Sequence, residues 1–143
     1  MINVGTLGPV VALAIWTMVM WLWMYATRIP AMTAAKVDAD ELARKPTGAG
    51  LDAMLPPEVQ WKAHNYNHLH EAPTVFYAVA IVLALVGAGD GLAATLAWAY
   101  VVLRVLHSLV QVTTNKIIVR FSLFALSSLV LIALIVLAAM AVF

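Results

Sequence analysis

The fold is decided at the C-terminal end of the chain, where residues 121–143 read FSLFALSSLVLIALIVLAAMAVF. No residue in this stretch carries a charge, and it exceeds the ~20 apolar residues a helix needs to cross a bilayer's hydrocarbon core. Working backward, Leu92 to about Thr114 is a second apolar run, interrupted by Arg104 and His107. Ala72 to Gly89 is a third, and Ile2 to Thr27 is another with no charge at all. The chain is therefore predicted to be an all-α integral membrane protein. It reads as a four-transmembrane-helix bundle in one domain, 1–143, with helices at about 4–27, 57–89, 92–114 and 119–143.

Composition points the same way. Apolar residues make up 64% of the chain and charged residues 10%, with a mean hydropathy of +0.96; soluble domains are near half apolar and a quarter charged. A net charge of +1 gives no reason to expect a nucleic-acid partner. Cysteine is absent, which excludes a disulfide, a thiolate metal site and a cysteine nucleophile. Any thiol chemistry must use a thiol that a ligand brings in. The first run lacks a basic n-region and a clear small-residue cleavage site, so it reads as a retained span. Trp16, Trp21, Trp23 and Tyr25 are weighted toward its C-terminal end, as interfacial anchors are.

Arg28-Ile29-Pro30 is expected to close that span, because the residue before a proline avoids helical geometry. Residues 31–56 then read as a polar connection, with a short helical turn over 38–43 and turn chemistry over 46–50. Pro56-Pro57 is expected to open the second helix, which should run without interruption to the Gly87-Ala-Gly-Asp-Gly91 reversal, where Asp90 is a turn residue. Arg28, Lys36, Arg44, Lys45, Lys62, Lys116 and Arg120 fall on the first and third connections, and the second connection and both termini hold no Lys or Arg. By the positive-inside rule these connections are cytoplasmic and both termini lie outside.

The stretch that lipid does not explain is HNYNHLHE, residues 64–71. Positions i, i+3, i+4 and i+7 share a helix face, which groups His64, Asn67, His68 and Glu71. The third span groups Arg104, His107 and Gln111 in the same way, and the fourth groups Arg120, Phe124, Ser127 and Ser128. At ~1.5 Å per residue, Glu71 lies roughly 14 Å along its helix from Lys62, and Arg104 roughly 18 Å from Lys116. The two reach a similar depth. An arginine at the centre of a span costs about 2.5–3.5 kcal/mol and normally pairs, so a Glu71–Arg104 ion pair is expected. Such a pair can serve helix register alone, and histidines near an interface are commonly structural hydrogen-bonding groups. The convergence of Arg, His, Asn, Gln and Glu on one level nevertheless suits a polar ligand entering from the cytoplasm.

These residues carry a resemblance to the membrane-associated proteins in eicosanoid and glutathione metabolism, the MAPEG family. That family's second-helix motif is Arg-x-x-x-Asn-x-x-Glu followed by a proline and a phenylalanine, and Glu71, Pro73 and Phe76 match it. Its third helix carries Arg-x-x-His, matched by Arg104 and His107, and an arginine thirteen residues further on is matched by Arg120. The chain departs from the pattern at His64, in the motif's arginine position, and at His68, in its asparagine position; Asn67 offers an amide one residue away. Gln111 stands where many members have a tyrosine. The resemblance, to bacterial-type members, implies a homotrimer in an inner membrane that binds glutathione between neighbouring subunits and acts on small lipophilic substrates. It implies Arg120 as the catalytic residue that stabilises the glutathione thiolate. Glu71 would receive the amino group, His107 a carboxylate or backbone contact, and His64, Asn67, His68, Arg104 and Gln111 would complete the binding set.

Three functions remain compatible with the sequence. One is a glutathione-dependent transferase or peroxidase. Another is a non-catalytic membrane protein of the same fold, binding a lipid-like or quinone-like ligand or packing beside a larger complex. The third is a metal site built from His64, His68 and Glu71, with His107 as a fourth ligand.

Overall fold

The computed structural model describes residues 1–36 and 54–143, and every regular element among them is helical. A short 3₁₀ turn, Val4–Thr6, leads into α1 (Leu7–Ala34). It is followed by α2 (Pro57–His68), α3 (Ala72–Leu85), α4 (Leu92–Thr113) and α5 (Ile117–Val142). Because α2 and α3 together make one crossing, four spans are long and apolar enough to traverse a membrane. Large apolar side chains such as Ile15, Leu22, Val102, Leu129 and Ile132 cover the outer faces. That arrangement suits lipid as the surrounding solvent, in which backbone groups must be satisfied within the helices themselves.

The interior is built around Leu13, Met20, Phe76, Leu83, Tyr100 and Leu134. Phe76 of α3 stacks on Tyr100 of α4, with ring centroids 4.5 Å apart. Buried Ala80, Ala84, Ala93 and Ala97 let the backbones approach closely, which is how helices associate where lipid removes the usual hydrophobic drive. At the end of the bundle holding the α3–α4 reversal, Thr6 Oγ1 donates to the Ala80 carbonyl at 2.7 Å. The Asn3 amide donates to the Ala84 carbonyl at 2.8 Å. Gly87 and Gly91 carry positive φ angles of 78° and 62° in this reversal, a conformation glycine adopts without a Cβ clash.

Two helix boundaries differ from the sequence reading, and each involves a proline. The first helix does not stop at Pro30 but continues to Ala34 with Pro30 inside it. Pro30 is exposed and removes a single intrahelical N–H. The Ala-Met-Thr-Ala segment that follows has enough helix propensity to carry on, and Thr33 Oγ1 donates back to the Ile29 carbonyl at 3.1 Å. The second span, expected to be unbroken to Gly89, is interrupted over residues 69–71 and ends at Leu85. Pro56-Pro57 does open α2, with Pro57 as its first residue. The expected turns over 38–43 and 46–50 lie outside the described residues.

Candidate functional site

The interruption is set by a proline. Pro73 has no N–H for the Leu69 carbonyl, and its ring crowds that carbonyl, so the helix cannot pass through unbroken. His70 N and Glu71 N fold back onto the Asn67 and His68 carbonyls at 3.0 and 3.2 Å, and Thr74 N onto Glu71 O opens α3. Backbone acceptors released in this way need donors at membrane depth. Three side chains supply them. His70 Nδ1 donates to the Tyr66 carbonyl at 2.9 Å, Thr74 Oγ1 to the His70 carbonyl at 2.7 Å, and Arg104 Nη2, reaching across from α4, to the His68 carbonyl at 3.4 Å. Part of the polarity of HNYNHLHE is therefore explained by the break itself.

Beside the break is a cavity of about 420 Å³ lined by His68, Glu71, Ala72, Arg104, His107, Ile117, Arg120, Phe121 and Phe124. Its size falls in the range of small-ligand sites, roughly 300–1,000 Å³. Arg104 and His107 are buried at 2% and 4% exposure, yet Arg104 Nε, His107 Nδ1 and Arg120 Nε have no hydrogen-bond partner. Guanidinium groups only donate, so the two arginines that line the cavity suit an anion. One wall is apolar: Ile117, Phe121 and Phe124 are exposed on the outer face of α5 and open the cavity toward lipid.

The expected Glu71–Arg104 ion pair is corrected by this geometry. Among the described residues no ion pair joins them: Arg104 bonds the His68 carbonyl instead, and Glu71 is exposed. Glu71 sits at the break with φ −92° and ψ −104°, so it no longer continues the face of α2. Both line one cavity. Arg120 is held by Asn115, whose Oδ1 accepts from Arg120 Nη1 at 2.6 Å. Asn115 occupies the α4–α5 turn with φ 51°, a left-handed conformation that asparagine tolerates better than most residues.

Of the eight residues named from sequence, His68, Glu71, Arg104, His107 and Arg120 meet in the cavity. Gln111 stands behind it, 2% exposed, with its Oε1 3.1 Å from His68 Nδ1. His64 and Asn67 are exposed and do not line it. The metal alternative finds no support, because no three His or acidic side chains among the described residues are placed to share an ion; the His68 and His107 rings are 6.4 Å apart. Sequence reasoning missed His70 and Thr74, which serve the break, and Asn115, which holds Arg120. Pro73, four residues after Leu69, was the available signal for the break.

The architecture is that of a multi-pass membrane protein with a cation-lined cavity inside its helix bundle. The model of the MAPEG family matches residues 6–140, and the chain belongs to the MAPEG family, a family of four-helix membrane bundles. No curated protein and no solved structure matches it.

Proposed function

We propose that this protein is a glutathione-dependent transferase or peroxidase acting on lipophilic substrates, with the cavity at the helix break as its active site. The observation that carries this reading is the convergence of Arg104, His107 and Arg120 on one cavity, each with a buried nitrogen left without a partner. Glutathione brings two carboxylates, an ammonium group and a thiol. Arg104 and His107 suit a carboxylate, exposed Glu71 suits the ammonium, and Arg120 suits the sulfur. A free thiol ionises near pH ~8.5, and a fixed cation beside it raises the thiolate fraction at neutral pH. The protein has no cysteine of its own, so the nucleophile arrives with the co-substrate. The exposed Ile117, Phe121 and Phe124 wall gives a lipophilic partner a route in from the bilayer.

In this reading the working unit is a homotrimer in a bacterial inner membrane, with both termini outside. His64 and Asn67 take part only through a neighbouring copy. Isothermal titration of the purified protein with glutathione and S-hexylglutathione tests the function, with saturable binding of both as the expected result. Absence of binding at millimolar concentrations refutes it in favour of a non-catalytic bundle holding a lipid-like or quinone-like ligand. Single cysteines at Lys36→Cys and Lys116→Cys test the orientation, since a membrane-impermeant reagent should not reach either from outside intact cells.

A further inference from the structure

We infer that His68 is the group that takes the thiol proton in this cavity, and that Gln111 is the positioning residue that prepares it. The inference rests on the glutathione reading above and adds to it the fate of the proton. It begins with a contact between two departures from the family pattern. A histidine stands in the second helix where the motif has asparagine, and a glutamine stands in the third where many members have tyrosine. In the fold these two residues touch, with His68 Nδ1 3.1 Å from Gln111 Oε1.

An amide oxygen accepts and never donates, so His68 Nδ1 must carry the hydrogen in this bond. In a neutral imidazole the other nitrogen, Nε2, is then a bare lone pair. Nε2 makes no hydrogen bond to a described residue, and the half-buried ring lines the cavity. Gln111 is almost fully buried, so its amide is a fixed support. The other polar groups of the lining are less suited to the task. Arg104 and Arg120 can hold an anion but cannot accept a proton. Glu71 is assigned to the ammonium group, and His107 has no partner at Nδ1 to fix its tautomer.

In the step itself the S–H bond breaks with its electron pair left on sulfur, and an N–H bond forms at His68 Nε2. The negative charge on sulfur is then stabilised by the Arg120 guanidinium group. The imidazolium keeps its Nδ1–H bond to Gln111, so one amide oxygen supports the ring in both protonation states. The charged and titratable groups facing His68 are Glu71 from its own span, Arg104 and His107 from α4, and Arg120 from α5.

Two measurements test this, and the first does not involve glutathione. Nitrogen-15 NMR of histidine-labelled protein, with the His68 signals assigned through His68→Asn, should show hydrogen on Nδ1 in the wild type and on Nε2 in Gln111→Leu. Hydrogen on Nε2 in the wild type overturns the inference. The second compares His68→Asn with wild type for two ligands. The bound thiolate fraction of glutathione at neutral pH, read by ultraviolet absorbance, should fall about tenfold. Affinity for S-hexylglutathione, which has no thiol proton, should stay within about threefold. An equal loss for both ligands makes His68 a positioning contact and overturns the base role, as does an undiminished thiolate signal. Failure of the wild type to bind S-hexylglutathione removes the glutathione reading and this step with it, a result distinct from the other two.

Discussion

The two ends of the bundle treat buried polar groups in opposite ways. Where Val4–Thr6 meets the α3–α4 reversal, the groups answer one another: Thr6 is fully buried and its hydroxyl bonds the Ala80 carbonyl, while the Asn3 amide bonds Ala84. At the other end Arg104, His107 and Arg120 each retain a buried nitrogen with no partner. An unsatisfied buried polar group costs roughly 1–3 kcal/mol, so the second end carries a cost that the first avoids. The first end holds the fold together; on the proposed function, the second is where the ligand binds.

The comparison can be broken most directly at Arg104. Arg104→Met should weaken S-hexylglutathione binding about 100-fold, since hydrogen bonds to charged groups contribute about 1.5–3 kcal/mol and tenfold corresponds to about 1.4. Its effect on unfolding should be small, because the His68 carbonyl keeps the Glu71 N–H at 3.2 Å and a poorly paired buried cation is replaced by an apolar chain of similar length. Titration calorimetry and chemical denaturation in detergent separate the two. A large loss of stability with binding intact would make Arg104 a structural brace for the His68 carbonyl.

Gly89→Ala should do the reverse. A Cβ there would lie 2.7 Å from the Asn3 carbonyl, 2.9 Å from Thr6 Oγ1 and 3.2 Å from Ala84 Cα. These are mostly backbone or tightly held atoms, so overpacking should cost ~1–3 kcal/mol of stability and leave ligand affinity unchanged. Thr6→Val removes one buried hydrogen bond without a volume change and should cost about 1 kcal/mol. If either change altered affinity as much as Arg104→Met does, the two ends would not be separable in function.

The four spans were legible because an apolar run is a local property of the chain. Prolines were not, and Pro30 and Pro73 show why. The sequence reading ended a helix at Pro30 and continued one through Pro73, and the fold does the opposite at both. Intrinsic preference at the two sites is similar. What differs is the surroundings: at Pro73 the released carbonyls find Arg104, His70 and Thr74, and one of those donors comes from a different span. The same break explains the partial reading of the site. Arg104, His107, Arg120, His68 and Glu71 were brought together by helical periodicity and depth, but the direct Glu71–Arg104 pair required a continuous face that residues 69–71 interrupt.

The smallest effect should come from the α4–α5 turn, which joins the two kinds of end in one residue. Asn115 has a structural task, set by its positive φ of 51°, and a site task, set by its Oδ1 bond to Arg120 Nη1 at 2.6 Å. Asn115→Gly separates them, because glycine accepts the left-handed backbone without strain and offers no acceptor. Stability should change by no more than about 0.5 kcal/mol, the size expected of a surface substitution that fits its backbone. The bound thiolate fraction at neutral pH should drop about threefold, because a guanidinium freed from its tether samples orientations that do not face the sulfur. Arg120→Lys, which keeps the charge and loses the fork that Asn115 grips, should give a similar drop. A full thiolate signal in both variants, measured by ultraviolet absorbance with saturating glutathione, would show that Asn115 ends the helix and does nothing for the site.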